Sequence, residues 1–168
     1  MSTNYSKKIA VYAGTFDPCT NGHVDIILRA STLFDTVVVA LGDNPAKKRM
    51  FSLEERISIM ESALHGIPNV EVKSFSGLLV HFCHSIGANI IVRGLRSEQD
   101  FPLEYSLGLA NKHLAGDIET VFLLSSTEYI FVSSSLLKEI FLNGGKVDDL
   151  VPSKAMELLQ QKIQSSNV

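Results

Sequence analysis

The stretch YAGTFDPCTNGHVDIILRA, residues 12–30, indicates both the fold class and the kind of site. It begins at the end of a strand-like apolar run, turns through Asp-Pro and Asn-Gly, and places His23 where a helical apolar pattern begins. A histidine there can be a capping or packing residue. It can equally donate a hydrogen bond to a phosphoryl oxygen, because a helix N-terminus carries unpaired N–H groups and partial positive charge. The stretch alone leaves both interpretations open.

The rest of the chain alternates short apolar runs with longer helical patterns. Strands are predicted over residues 8–14, 35–41, 69–75, 89–94 and 119–124, and helices over 22–34, 52–64, 78–86, 100–114, 134–142 and 153–164. Near-continuous apolar strands separated by helices are typical of a parallel sheet covered on both faces. We therefore predict a single-domain α/β fold over residues 1–168, a doubly wound, Rossmann-like sheet of five strands with the third near an edge.

Composition narrows the class of protein. The 168 residues are 45% hydrophobic and 20% charged, with a formal net charge of −3. This lacks the basic excess of a nucleic-acid-binding module, so no nucleic acid or membrane partner is expected. The polar N-terminus, the absence of a long apolar run and the presence of two cysteines favour a cytoplasmic, reducing location without a disulfide framework.

Polar residues cluster where the predicted strands end, which is where open α/β sheets bind ligands. In RGLRSEQD, residues 93–100, Arg93 and Arg96 could reach phosphates, since arginine makes forked contacts to phosphate oxygens. In NPAKKRMF, residues 44–51, we expect Lys47 rather than Lys48 or Arg49 to hold a phosphate. The alternative for both stretches is an ordinary solvated charge cluster.

A run of three serines follows the fifth strand, in VSSSLLKE at residues 132–139. Serine is a preferred helix cap, so a structural role is a strong alternative. Three serines exceed what one cap needs, and their hydroxyl and N–H groups could hold nucleotide phosphates.

Other patterns carry less weight. HFCH at residues 81–84 lacks a second pair of metal ligands at zinc spacing, and Cys19 near His23 lacks a site for an activated carbonyl. Neither the GxxxxGK[ST] loop nor a GxGxxG turn opens the first helix.

Taken together, these stretches resemble a known family. GTFDPCTNGH resembles the T/HxGH signature of the nucleotidyltransferase superfamily, and VSSSLLKE resembles its second signature. With KKRMFSLEER, IIVRGLRSEQDFPLEY and SSTEYIFVSSSLLKE, the chain resembles the bacterial phosphopantetheine adenylyltransferases from about residue 8 to residue 162. The resemblance implies transfer of the adenylyl group of ATP to 4′-phosphopantetheine, giving dephospho-coenzyme A and pyrophosphate in coenzyme A synthesis, with Mg²⁺ and in a homohexamer.

The resemblance also implies residue roles. Catalytic groups would be Thr15, His23, Lys47 and Arg96. The residues expected to contact 4′-phosphopantetheine are Thr15, Lys47, Leu79 and Arg93. The residues expected to contact ATP are Thr15, Phe16, His23, Gly94, Leu95, Arg96, Glu104, Tyr129, Ile130, Phe131, Val132, Ser133, Ser134 and Ser135. No protein ligand to the metal is expected, since Mg²⁺ would be held through ATP phosphates and water.

The implied reaction needs no protein base. A phosphate monoester has a second pKa of about 6, so it is mostly dianionic at neutral pH. Two alternatives stay open: a related nucleotidyltransferase acting on nicotinamide mononucleotide or glycerol phosphate, and a non-catalytic nucleotide-binding module.

Overall fold

The computed structural model describes residues 7–44, 46 and 48–166, and in that part of the chain five strands form one parallel sheet. The strands are β1 (Ile9–Gly14), β2 (Thr36–Gly42), β3 (Val70–Phe75), β4 (Ile90–Leu95) and β5 (Glu119–Leu124). The helices are α1 (Asn21–Leu33), α2 (Leu53–Ala63), α3 (Leu79–Ser85), α4 (Phe101–Leu114), α5 (Ser134–Leu142) and α6 (Ser153–Ser166). Their order confirms the predicted α/β class, and their bounds lie close to the predicted ones.

The strands lie in the order β3-β2-β1-β4-β5. The chain therefore builds the sheet outward from β1 in one direction and then returns to build it in the other, which is the doubly wound topology predicted from the sequence. β3 lies at an edge, as its alternating pattern predicted.

Side chains of β1 divide between two hydrophobic cores because successive residues of a strand point to opposite faces. Ala10 and Tyr12 pack with residues of α1, α2, α5 and α6 in the larger core. Val11 and Ala13 pack in the smaller one, which includes Val80 and Cys83 of α3. The sheet is thus covered on both faces, and polar groups collect at its strand ends.

The sheet opens between β1 and β4. Ala10, Val11 and Tyr12 pair with Ile90, Ile91 and Val92, whereas β1 and β2 stay paired as far as Gly14 and Leu41. Beyond Tyr12 the carboxyl ends of β1 and β4 diverge, at the point where the strand order reverses. A crevice forms there, as expected for doubly wound folds.

A single 3₁₀ turn (Thr127–Tyr129), which the sequence pattern did not reveal, precedes α5. None of the helices in the described ranges has both the length and the apolar character to cross a membrane.

Candidate active site

Two cavities meet at the carboxyl ends of β1 and β4. The first, the His23 cavity, has a volume of about 200 Å³ and is lined by residues of β1, α1, β4 and the segment before α5. The second, the Phe75 cavity, has a volume of about 620 Å³ and extends past the ends of β2 and β3 to Leu79. Both cavities are lined by Ala13, Gly14, Thr15 and Arg93. A shared wall allows two ligands to be brought into contact.

The imidazole of His23 has both of the roles that the sequence left open. Its Nδ1 accepts a hydrogen bond of 3.0 Å from the backbone N–H of Thr20, while the Thr20 hydroxyl accepts one from the His23 N–H. This is a capping box in which histidine takes the place usually held by glutamate or glutamine. Because Nδ1 accepts, the proton of the neutral ring is on Nε2. The hydrogen bonds of the ring to described residues are made at Nδ1, and His23 lines the cavity, so Nε2 is left for a ligand.

His23 stays neutral at physiological pH. Burial, with added repulsion from Arg96 and Arg93, lowers the pKa of His23 to about 4. The cavity therefore receives a neutral N–H donor from His23, and its positive charge comes from the two arginines.

The backbone around Gly14 is shaped by Phe16. Phe16 has a positive φ of 49°, which is unusual for a residue with a side chain. Its ring lies over Gly14 so closely that a Cβ there would come within 2.8 Å of Cζ, and it meets the His23 ring edge-on at a centroid distance of 5.0 Å. Phe16 thus holds the wall and the imidazole in position.

Arg93 bridges the crevice between the diverging strands. Its Nη1 donates to the carbonyl of Ala13 at 2.7 Å, while Nε and Nη2 donate to the two carboxylate oxygens of Glu104 at 2.6 and 2.7 Å. Each terminal nitrogen keeps one hydrogen without a partner among the described residues. The family resemblance implied an adenosine contact for Glu104; in this structure its carboxylate orients Arg93.

Arg96 is held in a similar way. Its Nε and Nη2 donate to Asp100 at 3.0 and 3.1 Å, and its Nη1 donates to the carbonyl of Val132 at 3.2 Å. It lines the His23 cavity and links the turn after β4 to the segment before α5.

The three serines of residues 133–135 make different contacts. The Ser133 hydroxyl caps α5 by accepting from the N–H of Leu136, and the Ser134 hydroxyl donates to the carbonyl of Pro18 at 2.8 Å. Ser133 and Ser134 line the His23 cavity, whereas Ser135 is exposed and lies outside its lining. The Ser134 hydroxyl has used its hydrogen on Pro18, whereas the Ser133 hydroxyl accepts and keeps its own, so a phosphate would meet the Ser133 O–H and backbone N–H groups of the first turn.

A buried carboxylate joins the segments around the cavities. Asp17 accepts hydrogen bonds from the N–H groups of Met50 and Phe51 and from the Lys138 ammonium, the last at 2.8 Å. Although burial alone would raise it, these donors hold the pKa of Asp17 below its usual value. Asp17 thereby connects the turn before α1, the segment before α2, and α5.

Most of the predicted site residues gather here. The His23 cavity is lined by Thr15, Phe16, His23, Arg93, Gly94, Arg96, Glu104, Tyr129, Val132, Ser133 and Ser134. Leu95, Ile130 and Phe131 do not line it: Leu95 is buried in the sheet, while Ile130 and Phe131 are exposed. These three predicted ATP contacts are therefore not among the residues that form this wall.

In the Phe75 cavity the structure places Thr15, Leu79 and Arg93 together, as predicted. Lys47, which the sequence favoured among three neighbouring cations, lies outside the described residues. Among the described cations of this run, Arg49 lines the cavity, and it donates to the carbonyl of Asn44 at 2.8 Å. The basic run was the signal for Arg49, yet nothing in the sequence ranked it above its neighbours.

Sequence reasoning missed Tyr12, Thr20, Ile26 and Ser125 as lining residues. The sequence around Tyr12 and Ile26 indicates ordinary core positions. Thr20 has the residue type of a helix cap, and no sequence pattern marks Ser125 as a ligand contact.

The two discounted cysteine motifs are structural. Cys19 is buried, and burial raises the pKa of its thiol. Cys83 packs in the smaller core, and Nε2 of His84 lies 3.1 Å from Oδ1 of Asp117. No group of three potential metal ligands occurs within the described residues.

Comparison with known proteins places this site in a family. Residues 11–140 match the family model described as cytidylyltransferase-like. The chain is 50% identical over 155 residues to the phosphopantetheine adenylyltransferase of Moorella thermoacetica, covering 92% of this chain and 97% of that protein. It is 46% identical over 157 residues to the enzyme of the same name from Carboxydothermus hydrogenoformans, covering 94% and 97%.

Solved structures share the fold at lower identity. A putative nicotinate-nucleotide adenylyltransferase from Vibrio parahaemolyticus superimposes with a TM-score of 0.69 at 18% identity, covering 92% of this chain and 99% of that one. A bifunctional NMN adenylyltransferase/ADP ribose pyrophosphatase from Francisella tularensis superimposes with a TM-score of 0.70 at 17% identity. The match covers 95% of this chain and 50% of that one. The chain belongs to the phosphopantetheine adenylyltransferase family, within the cytidylyltransferase-like proteins.

Proposed function

We propose that this protein transfers the adenylyl group of ATP to 4′-phosphopantetheine, producing dephospho-coenzyme A and pyrophosphate. The observation that carries the assignment is the shared wall of the two cavities, formed by Ala13, Gly14, Thr15 and Arg93. A nucleotide in the His23 cavity and a phosphorylated acceptor in the Phe75 cavity would bring their phosphates together at this wall. The names of the relatives support the same reaction.

The acceptor attacks without a protein base. Its phosphate is mostly dianionic at neutral pH, because the second pKa of a phosphate monoester is about 6. The work left to the protein is to align two anions and to offset their repulsion, as in other phosphoryl-type transfers.

His23 would stabilise the charge that develops on the α-phosphate. Its Nε2–H is a neutral donor fixed by the bond between Nδ1 and Thr20. A pre-oriented donor needs little reorganisation during the reaction. Thr15 would contact both reactants, and Arg96 would attract the nucleotide phosphates together with the first turn of α5.

Lys47 and Arg93 would hold the attacking phosphate. Glu104 and the carbonyl of Ala13 fix the Arg93 guanidinium so that its remaining N–H groups can reach an anion at the wall. Leu79 would contact the apolar arm of the acceptor in the Phe75 cavity.

Mg²⁺ fits this site as a companion of ATP. Glu104 is the carboxylate found among the described residues lining the His23 cavity, and it is committed to Arg93. The ion would therefore be held by ATP phosphates and water, an arrangement that Mg²⁺ favours. When bound, it would supply charge neutralisation for the departing pyrophosphate.

The proposal includes a homohexamer in the cytoplasm, as the family resemblance implies. Helix α4 supports the assembly of several subunits, because it contains no buried residue and yet is rich in apolar side chains. The exposed apolar residues of α4 are Phe101, Leu103, Tyr105, Leu107, Leu109 and Leu114. Apolar surface of this extent is typical of protein–protein contacts. Light scattering of the purified protein measures the number of subunits directly.

A coupled assay of pyrophosphate release tests the reaction. ATP with 4′-phosphopantetheine should give pyrophosphate and dephospho-coenzyme A in equal amounts, and chelation of Mg²⁺ should stop release. Replacing ATP by CTP tests the nucleotide, because the matching family model is described only as cytidylyltransferase-like.

The same assay separates the alternatives. Faster turnover with nicotinamide mononucleotide or glycerol 3-phosphate would assign another acceptor. ATP binding without pyrophosphate release from any of the three acceptors would instead assign a non-catalytic module.

A further inference from the structure

We propose that Arg56 is a positioning residue for the phosphate of the acceptor: a buried guanidinium that joins the tips of β1 and β2 and places positive charge behind the Phe75 cavity. This inference rests on the proposed function, because it concerns how the acceptor phosphate is recognised.

The contacts of Arg56 lie at the wall of the cavity. From the first half of α2, its Nη1 donates to the carbonyl of Thr15 at 2.8 Å and to that of Gly42 at 3.2 Å. Thr15 and Gly42 both line the Phe75 cavity. One guanidinium therefore holds together two strand ends that form the cavity wall.

Arg56 is also a cation without a direct ion pair among the described residues. The residue is 1% exposed and its Nε is buried without a hydrogen-bond partner. Its hydrogen bonds in the described part of the chain go to backbone carbonyls. Three carboxylates act on it from a distance: Asp17 pairs with Lys138, Asp43 lies 4.0 Å from Arg49, and Glu54 is exposed to solvent.

A buried charge without a directly paired counter-ion is costly, so its retention calls for a compensating interaction. Arg49, which lines the same cavity, adds repulsion, and the distant carboxylates Asp17, Asp43 and Glu54 offset part of it. A dianionic phosphate in the Phe75 cavity would supply the missing negative charge from the other side of the wall. Arg56 would then favour the phosphorylated acceptor by its field and by the geometry that it imposes on Thr15, without touching the ligand.

A purely structural arginine would behave differently. Its loss would loosen the wall for any ligand and would weaken binding of pantetheine and 4′-phosphopantetheine alike. The proposed role instead predicts that the preference for the phosphorylated form falls, measured as the dissociation constant of pantetheine divided by that of 4′-phosphopantetheine.

The test uses calorimetric titration of the full-length protein with both compounds, for wild type and for three variants. Arg56→Lys keeps the charge and supplies an ammonium as donor, Arg56→Gln supplies a neutral amide donor, and Arg56→Met supplies neither charge nor donor. Arg29→Met is the matched control, because Arg29 also donates to a backbone carbonyl but is ion-paired with Asp25 and lines neither cavity.

We expect Arg56→Gln and Arg56→Met to lower the preference ratio by about tenfold or more, the scale for one charge acting across a partly buried site. Arg56→Lys should retain most of the ratio, and Arg29→Met should leave it unchanged. If Arg56→Met fails to fold, the preference ratios of Arg56→Lys and Arg56→Gln are compared instead, and a lower ratio in Arg56→Gln supports the proposal. A ratio in Arg56→Gln equal to that of wild type overturns the proposal.

The wild-type assay keeps the two hypotheses separate. A wild type that releases no pyrophosphate with 4′-phosphopantetheine contradicts the proposed function. A wild type that turns over normally, with Arg56 variants that bind both compounds equally weakly, contradicts only the role of Arg56.

Discussion

The backbone N–H of Thr20 and the Nδ1 of His23 are joined by a hydrogen bond of 3.0 Å. This contact makes one residue both a helix cap and a donor to the cavity. It also fixes which ring nitrogen carries the proton, because an accepting Nδ1 leaves the hydrogen on Nε2.

Substitution of His23 should separate catalysis from capping. We expect His23→Ala to lower kcat by about 10²–10³, the scale for loss of one oxyanion donor, while the KM for ATP changes much less. Glutamine is a favoured residue at this position of a capping box, so His23→Gln should keep thermal stability and still lose kcat.

Steady-state kinetics and thermal unfolding of both His23 variants check this prediction. His84→Ala, which removes an exposed imidazole paired with Asp117, serves as the control. Normal kcat with only a raised KM in His23→Ala would exclude the proposed role of the imidazole.

The low pKa of His23 gives a second prediction. The ring has a folded pKa of about 4, whereas an unfolded histidine titrates near 6.5. The unfolded chain therefore binds more protons between these values, and the contribution of His23 to stability is lost as the pH falls from about 6.5 towards 4.

Nitrogen-15 NMR of the free protein should show a neutral, Nε2-protonated ring throughout the range from about pH 6 to 8. Titration of His23 near pH 6.5 would contradict the structure.

Arg93 provides the third prediction. Two nitrogens of the Arg93 guanidinium donate to the Glu104 carboxylate. Arg93→Lys keeps the charge but loses this paired contact, which fixes the orientation of the side chain. We expect Arg93→Lys and Arg93→Ala to raise the KM for 4′-phosphopantetheine by about tenfold or more and to change the KM for ATP much less. The opposite pattern in steady-state kinetics would reassign Arg93 to the nucleotide.

The Asp17–Lys138 pair gives a prediction about stability. Lys138→Met leaves Asp17 buried with its two backbone donors but without a counter-ion, which should cost about 3 kcal/mol in urea unfolding. The cost should shrink at acid pH, because the contribution of a carboxyl with a lowered pKa is lost as the pH falls through its folded value. Lys154→Met removes an exposed pair with Glu157 and should cost less than about 1 kcal/mol. Equal losses in the two variants would show that Asp17 does not need its ammonium partner.

The arrangement of the sheet could be predicted because four strands were compact apolar runs, the third alternated as an edge strand does, and each crossover was long enough for a helix. The capping box of Ser52 and Glu55 at α2 is of the kind that a sequence can show, since its residue types and spacing are local. Positions at strand ends, such as Arg93, followed from the rule that ligands bind where parallel strands terminate.

Partnerships between distant residues were not predictable. No sequence pattern shows that Glu104 reaches Arg93, that Asp17 reaches Lys138, or that Arg56 reaches Thr15, because each contact depends on how two elements pack. Tyr12 escaped notice because a tyrosine inside an apolar strand looks like core. Ser135 was predicted from the serine run and the family resemblance; in the structure it lies outside the lining of the His23 cavity, because a helix turns adjacent residues to different sides.

The divergence of β1 and β4 beyond Tyr12 has a consequence for inhibitor design. Since the two cavities are neighbours that share Ala13, Gly14, Thr15 and Arg93 as lining residues, a single compound carrying a nucleotide portion and an acceptor portion could occupy both at once. Joining the portions makes the second engagement intramolecular, so a linker that spans Gly14 and Thr15 without strain would gain avidity from effective concentration. The gap in the sheet thereby sets the linker length of a bisubstrate ligand.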